Sequence, residues 1–72
     1  MIIERILARR GFTQCGSEWI RTHGARIDSV KREGTTLIVQ TIESQFGLPL
    51  SGIERFNEDD IDDFDDYLGE IA

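Results

Sequence analysis

The sequence predicts a small α+β domain in the order helix, three antiparallel strands, helix (αβββα), with both helices on one face of the sheet. Three observations predict it. An apolar-periodic segment opens the chain and stops at Gly11, a β-branched and glycine-punctuated stretch fills residues 17–42, and a second helical period follows Asn57. Two helices with one apolar stripe each need a sheet face to cover.

The first helix is expected over residues 2–10. Ile2, Ile3, Ile6 and Leu7 fall on one helical face, Arg9 and Arg10 occupy the last turn, where cations suit the helix dipole, and Gly11 stands at the C-cap. The meander then reads Ser17–Thr22, Ala25–Lys31 and Thr35–Ile42. His23-Gly24 is the first turn, and Arg32-Glu33-Gly34 is a three-residue loop with its glycine last. These loops put Ile20 opposite Ile27, Ile27 opposite Val39, Leu37 opposite Ser29, and Arg21 opposite Arg26. One face then carries Ile20, Ile27, Leu37 and Val39, and the other Trp19, Arg21, Arg26, Val30, Ile38 and Gln40. Residues 43–56, with Gly47, Pro49 and Gly52, read as an irregular connection. Asn57 is the expected N-cap of the last helix, with Asp60 at N3, and Ile61, Phe64, Leu68 and Ile71 form its apolar stripe. The expected core is Ile6, Leu7, Ile20, Ile27, Leu37, Val39, Phe64 and Leu68.

Seventy-two residues, 39% apolar and 31% charged, allow one domain over 1–72 with a marginal core. One cysteine, Cys15, excludes an internal disulfide, and with a single histidine, His23, it excludes a Cys/His zinc cage. No cofactor is implied, and a partner or a homodimer is the remaining means of support. Charges within the first seven residues argue against a signal peptide, and no apolar run is long enough for a membrane span. A cytoplasmic, soluble protein is the expectation.

Residues 1–33 carry seven bases against four acids, a net +3, whereas residues 34–72 carry one base against ten acids, a net −9. On a helix starting after Asn57, Glu58, Asp59, Asp62, Asp63, Asp66 and Glu70 lie opposite the apolar stripe. They spread over roughly 18 Å at about 1.5 Å per residue, close to the density of phosphates at about 3.4 Å along one nucleic-acid strand. Like-charge neighbours at i,i+3 and i,i+4 each cost about 0.2–0.5 kcal/mol, more than solubility requires. The plainer reading is a solvated face that prevents aggregation. The interruptions at Ile61 and Phe64 and the divergence of side chains on a helix exclude a calcium loop.

The second candidate surface is the outer sheet face, with Trp19, Arg21, Arg26 and Ile38, since Trp and Arg are enriched at binding hot spots. A register slip would instead bury Trp19. Cys15 and His23 have no base or orienting group at a catalytic spacing, so no catalytic residue and no enzyme activity is expected.

Gly11-Phe12 after the first helix and Gly16-Ser17 before the first strand, in this element order, resemble the double-stranded-RNA-binding fold and the HicA-type toxins built on it. The resemblance implies RNA binding through Arg5, Arg9, Arg10, Arg21 and Arg26. It is one of topology: HicA-type toxins have a catalytic histidine where this chain has Glu18. The RNA-binding domains open their second helix with lysines where this chain has Glu58, Asp59 and Asp60.

Three function classes follow. The first is a small acidic inhibitor that imitates nucleic-acid phosphates to block a basic nucleic-acid-binding complex, similar in size and acidity to phage anti-CRISPR and anti-restriction proteins. The second is a general interaction module, such as an antitoxin or adaptor, using Trp19 and its arginines. The third is an RNA-binding or HicA-like domain, which a net charge of −6 disfavours. The first is preferred, and it implies no direct nucleic-acid or membrane binding.

Overall fold

The structure, a computed structural model, describes residues 2–45 and 47–71. Helix α1 (Ile2–Arg9) is followed by β1 (Thr13–Cys15), β2 (Glu18–His23), β3 (Arg26–Glu33), β4 (Thr36–Gln45), β5 (Leu48–Asn57) and helix α2 (Ile61–Glu70). The strands form one antiparallel meander in sequence order.

The sheet therefore has five strands, which corrects the three-stranded αβββα expectation. The expected irregular connection, 43–56, is the end of β4 and most of β5. Pro49 and Gly52 argue against a strand in general, but β5 is an edge strand, where a sheet tolerates proline. A Cβ on Gly52 would meet Thr41 Oγ1 at 3.3 Å, so that position favours the residue without one. The short edge strand β1 carries no apolar alternation and left no signal in the pattern.

The register also differs. Gly24 and Gly34 take φ of +62° and are the first residues of two-residue hairpin loops, with His23 paired to Arg26 and Glu33 to Thr36. A glycine leading the loop fits the II′ class; the sequence reading had placed each glycine last. Ile20 consequently faces Ser29 and Arg21 faces Asp28. Between β3 and β4 the shift changes parity, so Ile27 meets Ile42 and Val30 meets Val39.

That parity change decides the core. Ile6, Leu7 and Phe12 join Val30, Leu37, Val39, Phe64 and Leu68 in one buried cluster, which places both helices on a single face of the sheet. Ile20 and Ile27, expected inside, lie on the opposite face, where Ile27 stays 45% exposed. Phe12 and Val30 replace them. Helix α2 docks through an edge-to-face contact of Phe64 on Phe56, with ring centroids 5.7 Å apart, and Tyr67 stacks obliquely on Phe56 at 5.2 Å.

Helix α2 starts later than the sequence reading had it. Asn57 is still paired to Thr36, and the Glu58 N–H donates to Thr35 O at 2.9 Å, so the sheet holds the chain through residue 58. The Asn57 side chain then accepts from the Asp59 N–H at 3.0 Å, a local turn rather than a helix cap. Asp60 takes the N-cap position without a side-chain cap bond.

Candidate functional site

The outward side of α2 carries Asp62, Asp63, Asp66 and Glu70, all exposed. Asp62, Asp66 and Glu70 succeed one another at i,i+4 and form a ridge, with Asp63 beside it. Eight helical steps make this ridge about 12 Å long. Among the described residues none of these four carboxylates has an ion-pair partner. Asp59 and Asp60 extend the exposed charge past the N-terminus of the helix. Glu58 does not join it: it precedes the helix, is half-buried, and pairs with Arg32 at 2.6 Å.

The inner carboxylate of α2, Asp65, has a different task. It accepts from Arg9 at 2.7 Å and from Arg10 at 2.9 Å, tying the end of α1 to the middle of α2. The Arg10 hydrogen bond, with that of Arg9, holds the Asp65 carboxyl below its ordinary range against a smaller opposing effect of burial. The cations of the basic half thus satisfy the inner edge of the acidic helix and leave its outer ridge uncompensated. No basic residue stands in the last turn of α2, so the helix dipole adds to the negative potential at Glu70.

The sheet-face candidates are redistributed. Trp19, Arg21 and Arg26 lie on the helix-covered side, and Ile38 lies on the other, so the four do not form one surface. Trp19 is half-buried and packs against the core. Arg21 is a buried tie. Its guanidinium grips Asp28 Oδ2 through Nε at 3.0 Å and Nη2 at 2.8 Å, and Nη1 donates to the Arg10 carbonyl at 2.9 Å. A longer contact, 3.5 Å, reaches Leu68 O, and the group lies 4.4 Å over the Phe12 ring. One side chain therefore serves carbonyls at the ends of both helices, which have no partners within their own helices. Arg26 adds a second cation: its Nη2 donates to Asp28 Oδ2 at 3.3 Å, while its Nε sits 3.0 Å from Oδ1 without aiming its N–H there, an ionic contact. Asp28 is fully buried. The sequence reading missed this cluster; with the hairpin glycine placed first, Arg21 and Asp28 become cross-strand partners.

A groove of about 170 Å³ runs between α1 and the sheet, lined by Ile3, Leu7, Trp19, Val30 and Leu37 among others. It is smaller than the roughly 300 Å³ at which ligand pockets begin. Cys15 is exposed on β1 and His23 lies at the far end of β2, so the two are not brought together. Among the described residues no group of three or more His, Cys, Asp or Glu side chains is arranged to hold a metal ion, and no helix is long and apolar enough to cross a membrane.

No known protein family, curated protein or solved structure matches this chain.

Proposed function

We propose that the protein is a non-enzymatic cytoplasmic inhibitor whose acidic helix α2 occupies the nucleic-acid-binding surface of a basic protein complex, in the manner of anti-CRISPR or anti-restriction proteins. The observation that carries the reading is the uncompensated ridge Asp62, Asp63, Asp66 and Glu70. The fold neutralises Asp65 and Glu58 with nearby arginines and leaves these four facing outward, at a spacing near that of strand phosphates. Binding is then electrostatic, strongest at low salt and competitive with nucleic acid. The five-stranded order and the acid-rich start of α2 give no support to the RNA-binding or HicA-like alternative.

The test is capture of a partner by the parent protein and by a variant with Asp59, Asp62, Asp63 and Asp66 all changed to Asn. The parent should hold a basic nucleic-acid-binding protein that duplex DNA, RNA or about 1 M salt releases, since the Debye length there falls to about 3 Å. The variant should hold none. Capture that survives the four substitutions overturns the proposal.

A further inference from the structure

The face of the sheet opposite the helices is uncovered, and it carries Ile20, Ile27, Ile38, Ile42 and Ile53 among polar residues. Its residues fall into three cross-strand rows running from β2 to β5: Glu18, Lys31, Ile38 and Arg55; Ile20, Ser29, Gln40 and Ile53; Thr22, Ile27, Ile42 and Ser51. Ile27, Ile42 and Ile53 are 45%, 40% and 50% exposed. Four strands about 4.8 Å apart and six residues at about 3.4 Å give on the order of 400 Å² of projected face, the size at which an exposed patch marks an interaction site. Twice that area, about 800 Å², falls below the roughly 1,200 Å² of standard specific complexes, so the association through it is weak and shows only at high protein concentration.

The charge pattern selects the occupant. The protein has a net charge of −6, yet this face, with Glu33 beside its first row, holds two acids and two bases. It is where two copies approach with the acidic helices turned away from each other. A two-fold axis running along the strands between β3 and β4 lays β2 of one copy over β5 of the other, and β3 over β4, with every row facing itself. Glu18 then meets Arg55 of the second copy, Ile20 meets its Ile53, Ile27 its Ile42, Ser29 its Gln40, and Lys31 its Ile38. Neither Glu18 nor Arg55 has an ion-pair partner among the described residues of its own chain. The face is self-complementary in its isoleucine pairs and its Glu18–Arg55 pairs, with the polar pair Ser29–Gln40 between them and the Lys31 stem laid along Ile38, as an isologous interface allows.

We infer that the protein forms a face-to-face homodimer through this open sheet surface, leaving both α2 ridges on the outside. This goes beyond the acidic-helix reading and does not depend on it. Sedimentation equilibrium from low micromolar to millimolar protein tests it directly. The parent should shift from monomer to dimer across that range. Ile42→Lys, which buries a charge near the axis, should remain monomeric throughout while keeping the parent's circular dichroism. Because an unfolded variant also fails to dimerise, the Glu18–Arg55 pair provides a second test. Glu18→Arg or Arg55→Glu alone should weaken the dimer at least tenfold, and the two together should restore it. A parent that stays monomeric at millimolar concentration overturns the inference. So does a dimer that survives Ile42→Lys, or one whose Glu18 and Arg55 variants do not rescue each other.

Discussion

On the helix-covered face of the sheet, Val30, Leu37 and Val39 keep 2% or less of their surface exposed, while on the other face of the same strands Ile27 and Ile42 keep 45% and 40%. Val30 and Val39 are cross-strand partners, and so are Ile27 and Ile42. The residue types are nearly the same on both sides; the register decides which set becomes core. The covered face also holds the polar tie, Arg21 and Asp28, whereas the open face has Glu18, Lys31 and Arg55 in one cross-strand row to the side of its other isoleucines. One side of the sheet is committed to folding and the other is left for contact.

The sharpest way to break this contrast is Arg21→Ala, which leaves Asp28 buried without its main partner. Breaking a buried pair costs about 3–5 kcal/mol, and Arg26, which still faces Asp28, holds the loss toward the lower figure. Urea denaturation followed by circular dichroism should find the variant's midpoint far below the parent's. Leu37→Ala is next, at about 2–5 kcal/mol. In dilute protein Ile53→Thr on the open face should change stability by about 0.5 kcal/mol or less. Comparable losses from Leu37→Ala and Ile53→Thr would erase the distinction between the faces.

Acid should loosen the covered side through Asp65. Its carboxyl titrates below the ordinary range in the folded protein, so the stabilisation by Arg10 and Arg9 is complete above the ordinary aspartate pKa. It is lost as the pH falls through the lowered value. Asp65→Asn should be less stable than the parent at neutral pH, and the gap should close in acid; thermal melts over that range check both. The smallest effect has the opposite sign. Asp66→Asn, beyond the first turn where the dipole would favour a carboxylate, removes like-charge neighbours on α2 and should raise stability by about 0.2–0.5 kcal/mol per pair, visible as a slight rise in Tm.

What the sequence revealed follows the same division. Ile6, Leu7, Phe64 and Leu68 were legible because a helix exposes its apolar period whatever lies beneath it. The sheet was less so. In Thr36–Ile42 both alternating sets contain large apolar residues, Leu37 and Val39 on one side and Ile38 and Ile42 on the other, so periodicity cannot choose a face. The choice rests on the Gly34 loop, which has two residues with the glycine first where a three-residue loop with the glycine last would have turned the other set inward. In β5, where Pro49 and the pair Ser51-Gly52 interrupt the apolar alternation of Leu48, Leu50 and Ile53, a strand paired along one edge reads as a loop. The acidic surface was legible as composition, but its uncompensated subset was not. Glu58 and Asp65 are separated from the outer ridge by contacts with Arg32, Arg9 and Arg10, distant in sequence.

The central claim is that the α2 ridge takes the place of nucleic acid on a basic partner. The direct measurement is fluorescence anisotropy of a labelled oligonucleotide bound to the captured partner, titrated with this protein. The account predicts that anisotropy falls to the value of the free oligonucleotide, and that the Asp59, Asp62, Asp63 and Asp66 to Asn variant leaves it unchanged. Anisotropy that holds or rises as the protein binds, the mark of a ternary complex, would contradict it.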